Sequence, residues 1–303
     1  MARPKAIILT GPTGSGKSRL AIEVAKALGG EIINADSLAF YRGLDIGSAK
    51  PTPEDFQAAP HHLFDIVDPN EDFDAAAYLR LARPLVASLA AAGRPPLIVG
   101  GAGLYFRSLT RGLFVGPGRQ ETIRAELKAL ADQGEDLYAL LAQEDPKAAA
   151  KINPNDYVRI ERALEVFRAT GQSIVDFQES HKLADRPFET LVLIIDRPTA
   201  ELDKDILTRT ENMLKNGLLE ETEGLLRRWP GHLKPLKAIG YLEARAFLVG
   251  QITLEEAKER IYLRTRRLAK RQRTWFRGQV PEGLWVKPDP QLIIGLIKDF
   301  WAA

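Results

Sequence analysis

The chain has 303 residues, with 42 Lys and Arg against 40 Asp and Glu, a net charge of +2, 45% hydrophobic residues and no cysteine. This length and composition predict one large or two ordinary globular domains, and the absence of cysteine excludes disulfides, thiolate metal sites and a cysteine nucleophile. No aliphatic run approaches the ~20 residues that span a bilayer, and the first residues lead into a motif rather than a secretion signal, so we expect a cytoplasmic protein with no membrane segment.

The amino-terminal part of the chain alternates between strand and helix patterns. The apolar run Lys5–Thr10 predicts a buried strand, and a helical pattern follows from Ser18 to Leu28. Further strands are predicted over Glu31–Ala35 and Pro96–Val99, with a helix from Asp74 to Ala92 between them. Strands that alternate with helices indicate a parallel α/β sheet.

The first strand runs into a glycine-rich segment that matches the pattern G-x-x-x-x-G-K-[ST] in full. Its residues are Gly11, Pro12, Thr13, Gly14, Ser15, Gly16, Lys17 and Ser18. The glycines let backbone N–H groups converge on phosphate oxygens, Lys17 supplies positive charge, and the Ser18 hydroxyl is a ligand for Mg²⁺. The motif therefore predicts a site for a diphosphate or triphosphate with Mg²⁺, without saying which compound carries the phosphates.

Two aspartates follow predicted strands and are candidates for a second functional carboxylate. Asp36 lies 18 residues beyond Ser18, and we expect both at the carboxyl ends of neighbouring strands, where ligands of parallel sheets bind. There Asp36 could hold a metal or act as a general base, or it could only cap a turn. Asp196 follows an apolar run, and is either the second Mg²⁺ carboxylate of a P-loop enzyme or a turn residue.

From about residue 116 the pattern becomes purely helical. Helices are predicted over Glu121–Ala131, Leu137–Gln143 and Asp156–Ala169, and strand character returns at Thr190–Asp196. We therefore expect a helical insertion over 116–185 within an α/β core formed by 1–115 and 186–303. Beyond it, helical patterns cover Thr199–Arg228, Leu236–Leu248, Thr253–Arg277 and Pro290–Trp301.

The helix near the carboxyl terminus holds most of the excess positive charge. Between Lys258 and Arg277 there are nine Lys and Arg and one acid, a charge of +8, so the rest of the chain sums to −6. An apolar stripe is predicted along one side of this helix, formed by Leu254, Ile261, Thr265, Leu268 and Trp275. Because a merely solvated helix usually mixes charge signs, the opposite cationic face predicts a polyanionic partner.

Seven motifs occur in an order that resembles bacterial tRNA dimethylallyltransferases, also called tRNA isopentenyltransferases. They are GPTGSGKS and the segments 33–51, 61–69, 97–109, 153–166, 236–244 and 264–278, which together span nearly the whole chain. The resemblance implies a P-loop NTPase-like parallel sheet core with a helical insertion domain. It also implies transfer of the dimethylallyl group of dimethylallyl diphosphate to N6 of the adenosine 3′ of the anticodon in tRNA, by a monomer.

The resemblance assigns roles to individual residues. Asp36 would be the general base that takes the proton of the adenine amine, and Arg209 would stabilise the departing diphosphate together with the phosphate loop and Mg²⁺ held by Ser18. Contacts with tRNA are implied for Asp36, Ser37, Leu38, Ala39, Ala102, Arg124, Val158, Arg159, Ile160, Glu161, Arg162, Lys237, Ala238, Ile239, Gly240, Tyr241, Leu242, Glu243, Ala244 and Arg271. The insertion would surround the anticodon loop of the tRNA, and the target adenosine would be flipped out of that loop. The basic helix near Arg271 would bind backbone phosphates.

One position departs from the family pattern. The family has a threonine whose hydroxyl contacts the reacting nucleotide, and this chain has Ala102 there, so that hydrogen bond is absent or replaced by water or backbone. We expect Ala102→Thr to keep or improve the rate. Phe40 and Tyr41 are either stacking groups or core aromatics, and His61 and His62 are expected to pack or hydrogen-bond rather than catalyse.

Two other classes of function share some of these features. A small-molecule or nucleotide kinase would use the same ATP-binding loop but gives no reason for a helix of charge +8. An NTP-switched RNA-binding protein would explain the charge but would leave Asp36 without a role.

Overall fold

The computed structural model describes residues 3–114, 116–181 and 185–303. Its strands form one parallel sheet. They are β1 (Lys5–Thr10), β2 (Glu31–Asn34), β3 (His61–His62), β4 (Pro96–Gly100), β5 (Glu189–Ile195) and β6 (Leu284–Val286). The order across the sheet is β3-β2-β4-β1-β5-β6, and every pairing between neighbours is parallel. The predicted α/β fold with a parallel sheet is therefore confirmed.

Helices connect and flank the strands. They are α1 (Lys17–Leu28), α2 (Pro53–Ala58), α3 (Ala75–Ala91), α4 (Gly103–Arg111), α5 (Glu121–Asp132), α6 (Leu137–Glu144), α7 (Pro146–Ala149), α8 (Tyr157–Thr170), α9 (Ile174–His181), α10 (Thr199–Lys215), α11 (Leu218–Arg228), α12 (Tyr241–Leu248), α13 (Leu254–Gln279) and α14 (Pro290–Ala302). A short 3₁₀ helix covers Lys234–Lys237. Within the described ranges, no helix has the length and apolar character needed to cross a membrane.

The strand order corrects one expectation. β1 and β2 were expected to be neighbours, but β4 lies between them and pairs with both. β4 (PLIVG) is buried along its whole length, whereas β3 is only two half-buried histidines. The apolar strand therefore occupies a position flanked on both edges, where its side chains lose the most water-exposed surface, and the short polar strand closes the outer edge.

Apolar side chains cover both faces of the sheet. On one face Ile8, Ile33 and Ile98 pack with Tyr78 of α3 and Phe276 of α13. The other face packs residues of β1 and β4 against α1 and α14. A strand whose residues are buried on both faces reads as a continuous apolar run, which is why β1 and β4 were visible in the sequence.

Two predicted helices are interrupted by glycine. The run Thr199–Arg228 is two helices, α10 and α11, because Gly217 between them has φ +103, a conformation that ends a helix. Similarly, Leu236–Leu248 begins in the second half of the 3₁₀ helix and ends with α12, and Gly240 with φ +97 lies between the two helices. By contrast, α13 begins as predicted, with a capping box between Thr253 and Glu256.

The chain forms two compact units, 1–110 with 187–303 and 111–186. The first unit contains the sheet. The second is helical, with a core of its own around Leu127, Leu141, Ile160 and Leu164.

Candidate functional site

A cavity of about 720 Å³ lies in the unit that contains the sheet. Thr13, Asp36 and Gly101 all line it, and they follow β1, β2 and β4 respectively. The cavity is thus formed where the carboxyl ends of parallel strands meet, the usual ligand position of such sheets. Although β1 and β2 are not neighbours, their carboxyl ends still contribute to one site because β4 ends between them.

The glycine loop after β1 has the conformation of an anion site. Gly14 and Gly16 have φ of +82 and +79, and a Cβ on Gly14 would lie 3.1 Å from Cγ1 of Ile206. Among the described residues, the N–H groups of Gly14, Gly16, Lys17 and Ser18 make no intramolecular hydrogen bond. These donors lie at the amino terminus of α1, whose dipole also favours an anion, so the loop offers a cradle for phosphate.

Two cations and one carboxylate share the cavity. Burial lowers the pKa of Lys17 to about 8, where the attraction of Asp36 opposes the shift and the repulsion of Arg209 adds to it. Burial likewise lowers the pKa of Arg209, against the attraction of Asp36. Within the described chain the Arg209 guanidinium has only long contacts, 3.5 Å from Nη1 to Thr13 Oγ1 and 3.5 Å from Nη2 to Ser48 O. The site therefore has an excess of partly buried positive charge, which an anionic ligand would neutralise.

Asp36 is held by a tight turn at the end of β2. Its N–H donates to Asn34 Oδ1 at 2.8 Å, and its Oδ1 accepts from the Leu38 N–H at 3.0 Å. β4 passes close by, since a Cβ on Gly100 would lie 2.2 Å from Ala35 O. The turn-capping and functional interpretations are both compatible with this geometry. One oxygen closes the turn, while Oδ2 has no hydrogen-bond partner among the described residues.

Gln272 of α13 belongs to the site and was missed in the sequence. Its Oε1 accepts from the Thr13 N–H at 2.8 Å, and its Nε2 donates to Gly101 O at 3.0 Å. In the sequence it is a single amide between Arg271 and Arg273, so no local signal marks it.

The apolar stripe predicted on α13 packs against the core only in part, through Ile261 and Trp275. Ile261, Thr265 and Leu268 line the cavity, Leu254 is 42% exposed, and the fully buried aromatic is Phe276 rather than Trp275. Helical periodicity identifies a face that avoids water, and it cannot distinguish a cavity wall from a packed core.

A second missed residue is Glu221 of α11. Its carboxylate accepts from the N–H groups of Asp45, Ile46 and Gly47 at 2.8–3.1 Å and from the Tyr241 hydroxyl at 2.6 Å. The ring of Tyr241 packs on Gly47, where a Cβ would lie 2.3 Å from the ring. This carboxylate therefore holds the loop that brings Ser48 and Lys50 to the cavity wall.

Comparison with known proteins places these features in a family. A model of the IPP transferase family matches residues 39–279, and a model described as isopentenyl transferase matches residues 4–65. The chain belongs to the IPP transferase family. The predicted resemblance and the assignment as a transferase are thereby confirmed.

Relatives of this family member align over almost its full length. It is 47% identical to the tRNA dimethylallyltransferase of Geobacter sulfurreducens, over 94% of this chain and 93% of that protein. It is 45% identical to that of Anaeromyxobacter dehalogenans, over 95% and 97%. The solved full-length tRNA isopentenylpyrophosphate transferase of Bacillus halodurans is 37% identical with a TM-score of 0.72, covering 99% of this chain and 96% of that one. A eukaryotic dimethylallyltransferase acting on tRNA is 28% identical with a TM-score of 0.77, covering 90% and 69%.

The segments expected to contact RNA in this family member are only partly available to a ligand. Near Asp36, Ser37, Leu38 and Ala39 all line the cavity, with Ser37 exposed and Ala39 almost fully buried. Ala102 also lines the cavity.

The segment 237–244 is divided in the same way. Lys237, Ala238 and Ile239 line the cavity, and Leu242 is partly exposed. Gly240 donates its N–H to Glu243 Oε2 at 2.8 Å. Three side chains are buried, so they support the segment rather than face a ligand: Tyr241, Glu243 and Ala244.

In the helical unit, most of the expected contacts are engaged within the unit. Arg124 donates to Glu161 and Glu165, and Arg162 donates to Glu165 and to Pro117 O. The Ile160 side chain is in the core. The expectation of RNA contact there now depends on Val158, which is 73% exposed, and on Arg159, which is exposed although it pairs with Asp156 at 3.3 Å.

The charges of α13 also fall into two sets. Five are paired: Lys258 with Glu211, Arg260 with Glu256, Arg264 with Glu243, Arg266 with Asp203 and Arg273 with Asp196. In contrast, four are exposed and make no ion pair within the part of the chain that the structure describes: Arg267, Lys270, Arg271 and Arg277. The surface available to a polyanion is therefore smaller than the +8 of the sequence indicated.

The other residues singled out in the sequence, one aspartate, one phenylalanine and two histidines, make contacts within the protein. The Asp196 carboxylate accepts from Arg273 at 3.0 Å, and Asp196 is not among the residues lining the cavity, which leaves its alternative role as a metal ligand without support. Phe40 packs with Phe73, Tyr78 and Tyr105 in the core. His62 Nε2 lies 2.6 Å from Glu31 Oε2 and His61 Nδ1 lies 2.8 Å from Ala59 O, as expected for residues that pack and hydrogen-bond.

Proposed function

We propose that the protein transfers the dimethylallyl group of dimethylallyl diphosphate to N6 of the adenosine immediately 3′ of the anticodon in tRNA. The supporting observation is that Asp36, Lys17 and Arg209 meet in one cavity, beside a loop with unengaged backbone N–H groups. A base, a diphosphate cradle and an additional cation are the three groups that this reaction requires.

Each group has a defined task in the transfer. The N6–C1 bond forms as the C1–O bond of dimethylallyl diphosphate breaks, and the electron pair of the C1–O bond leaves with the diphosphate. Asp36 Oδ2 accepts the proton that N6 loses, a contribution of ~10²–10⁴ in rate for general base catalysis. The loop N–H groups, Lys17 and Arg209 stabilise the charge of the departing diphosphate.

The site also fits a magnesium ion. The residues that the structure describes contain no cluster of three metal-ligating side chains. However, Mg²⁺ at phosphates usually takes only one or two protein ligands, with water and phosphate oxygens completing the shell. The exposed Ser18 hydroxyl at the start of α1 would be such a ligand, and the ion would neutralise part of the charge on the diphosphate.

Two surfaces would serve the tRNA. Arg267, Lys270 and Arg271 would contact backbone phosphates, and the exposed start of α8 would contact the anticodon loop. The target adenine would be flipped out to reach Asp36. A cavity of about 720 Å³ has room for a nucleobase in addition to the diphosphate substrate. We propose that the enzyme acts as a monomer in the cytoplasm.

Incubation with substrates tests this proposal directly. The protein is incubated with unmodified tRNA, Mg²⁺ and labelled dimethylallyl diphosphate, and in parallel with tRNA and ATP. Label is expected in the tRNA, and nuclease digestion should recover it as a single N6-modified adenosine. A tRNA with guanosine at that position is the matched control and should remain unlabelled.

Other outcomes would contradict the proposal. Hydrolysis of ATP or phosphate transfer from ATP, without prenylation, would favour a kinase or an NTP-switched RNA-binding protein. Label at another nucleotide would contradict the proposed target while leaving prenyl transfer intact.

A further inference from the structure

Gln272 connects three parts of the cavity that lie far apart in the sequence. Its side chain is an acceptor for the Thr13 N–H of the phosphate loop and a donor to Gly101 O after β4. A Cβ on Gly101 would lie 2.6 Å from Gln272 Nε2, so the amide approaches the backbone at a distance that only glycine permits there. Both polar ends of the amide are used, which a side chain that merely fills space would not require.

The connection continues beyond Thr13. The hydroxyl of the same threonine accepts from Arg209 Nη1, and Arg209 Nη2 donates to Ser48 O, each at 3.5 Å. Thr13 therefore lies between Gln272 on its N–H side and Arg209 on its hydroxyl side. A shift of the Gln272 amide would move Thr13 and, with it, the guanidinium expected to face the diphosphate.

Neighbouring residues of α13 have different environments. Arg271 is exposed, Gln272 points to the phosphate loop, and Arg273 is paired with Asp196. One turn of α13 therefore carries both a cation that is available to RNA phosphates and the amide that contacts the phosphate loop. These are the two sites that have to act together in a transfer between a small substrate and a tRNA.

We infer that Gln272 is a positioning residue, which sets Thr13 and Arg209 for departure of the diphosphate and links the RNA-facing helix to that step. The inference rests on the proposed function. It concerns the rate of transfer and not the binding of tRNA, because the Gln272 side chain is engaged within the protein.

Gln272→Met tests the inference, since methionine keeps the length of the side chain and removes both hydrogen bonds. At saturating tRNA and dimethylallyl diphosphate, kcat is expected to fall on the order of 10²-fold, the effect of misplacing a group by about 1 Å. The Kd for tRNA, measured by filter binding, should stay within about threefold, and this also reports that the variant is folded. The Michaelis constant for tRNA should follow the Kd rather than kcat.

Two matched variants on the same helix serve as controls. Arg271→Gln should show the opposite pattern, in which the Kd for tRNA rises by a larger factor than kcat falls. Thr274→Val should change neither quantity, since Thr274 is exposed and, among the described residues, its hydroxyl bonds only the Lys270 carbonyl of the same helix.

The outcomes separate the inference from the proposed function. Wild-type kcat in Gln272→Met overturns the inference alone, as does a loss of tRNA affinity larger than the loss of kcat. If Gln272→Met does not fold, Gln272→Glu, which keeps the acceptor for Thr13 and loses the donor to Gly101, decides by the same two measurements. A wild-type enzyme that transfers no label contradicts the proposed function and the role of Gln272 together.

Discussion

The chemistry of the candidate site depends on single groups whose surroundings set their properties. Asp36 has one oxygen bound by the Leu38 N–H and the other free of partners in the described chain. Partial burial lowers the pKa of both Lys17 and Arg209, so a negative ligand in the cavity would relieve an unfavourable charge. The basicity of Asp36 and the charge of Lys17 can each be tested by a substitution that preserves the shape or the charge of the side chain.

Asp36→Asn isolates the basicity of the carboxylate. The amide oxygen can still accept from the Leu38 N–H, so the turn is retained, but the group can no longer take a proton from N6. The rate of transfer is expected to fall ~10²–10⁴-fold, with tRNA affinity within a few-fold. Initial rates with labelled dimethylallyl diphosphate and filter binding measure the two effects, and unchanged turnover would remove Asp36 as the base.

The lowered pKa of Lys17 predicts that the rate of transfer depends on pH. Its pKa of about 8 in the free enzyme means that the ammonium, which attracts the diphosphate, is lost as the pH rises through that value. The ratio kcat/KM for dimethylallyl diphosphate should therefore fall between pH 7 and 9. At saturation kcat should hold to higher pH, because bound diphosphate stabilises the ammonium.

Lys17→Arg is the control for this dependence. Arginine keeps its charge over the whole interval, so the variant should show no fall, whatever its absolute rate. A decline of the same size in both enzymes would mean that another group titrates.

At the level of secondary structure, α13 combines three roles that its sequence does not separate. One side of the helix lines the cavity, and Gln272 accepts a hydrogen bond from the phosphate loop. The cations of the helix are either paired with acids or exposed. Only the exposed cations can release counterions from a nucleic acid without first breaking a contact in the protein.

Lys270→Gln and Arg266→Gln compare the two kinds of cation. Lys270→Gln should weaken tRNA binding and reduce the slope of log Kd against log salt concentration by about 0.7–0.9. Arg266→Gln removes the partner of Asp203, so it should lower the free energy of unfolding only slightly, with little change in that slope. Equal effects on the salt slope would show that the paired arginine also reaches RNA.

At the scale of the whole molecule, the helical unit 111–186 has its own core and its own buried carboxylate. Burial alone would raise the pKa of Glu165, but hydrogen bonds from Arg124, the Gln120 N–H and Arg162 outweigh it and hold the pKa at about 2. Because the pKa of Glu165 is lower in the folded state, its ionised carboxylate stabilises the fold at pH values above its ordinary pKa near 4.5. That stabilisation is lost as the pH falls from 4.5 toward 2.

The helical unit should therefore open in acid over that range. Hydrogen exchange by mass spectrometry on the full chain should show loss of protection in peptides of 111–186 as the pH falls below about 4.5, after correction for the intrinsic rate. Glu165→Gln should be less protected at neutral pH and should lose much of this dependence. An unchanged profile in the variant would assign the acid sensitivity to other groups.

The sequence by itself determined the features that depend on short stretches of chain. The phosphate loop, the buried strands, the capping box of α13 and the family motifs are local patterns, so their meaning does not require knowing what lies next to them. Asp36 was found for the same reason, since it directly follows a recognisable strand.

Only the tertiary structure decided which groups face one another. It placed β4 between β1 and β2, paired Gln272 with Thr13 across 259 positions of sequence, and held the Asp45–Gly47 loop on Glu221. It also determined which arginines of α13 are neutralised, because most of their acids come from α10, α12 and the end of β5. Hydrogen bonds and ion pairs require atoms within a few ångström, and that proximity is set by packing rather than by any pattern along the chain.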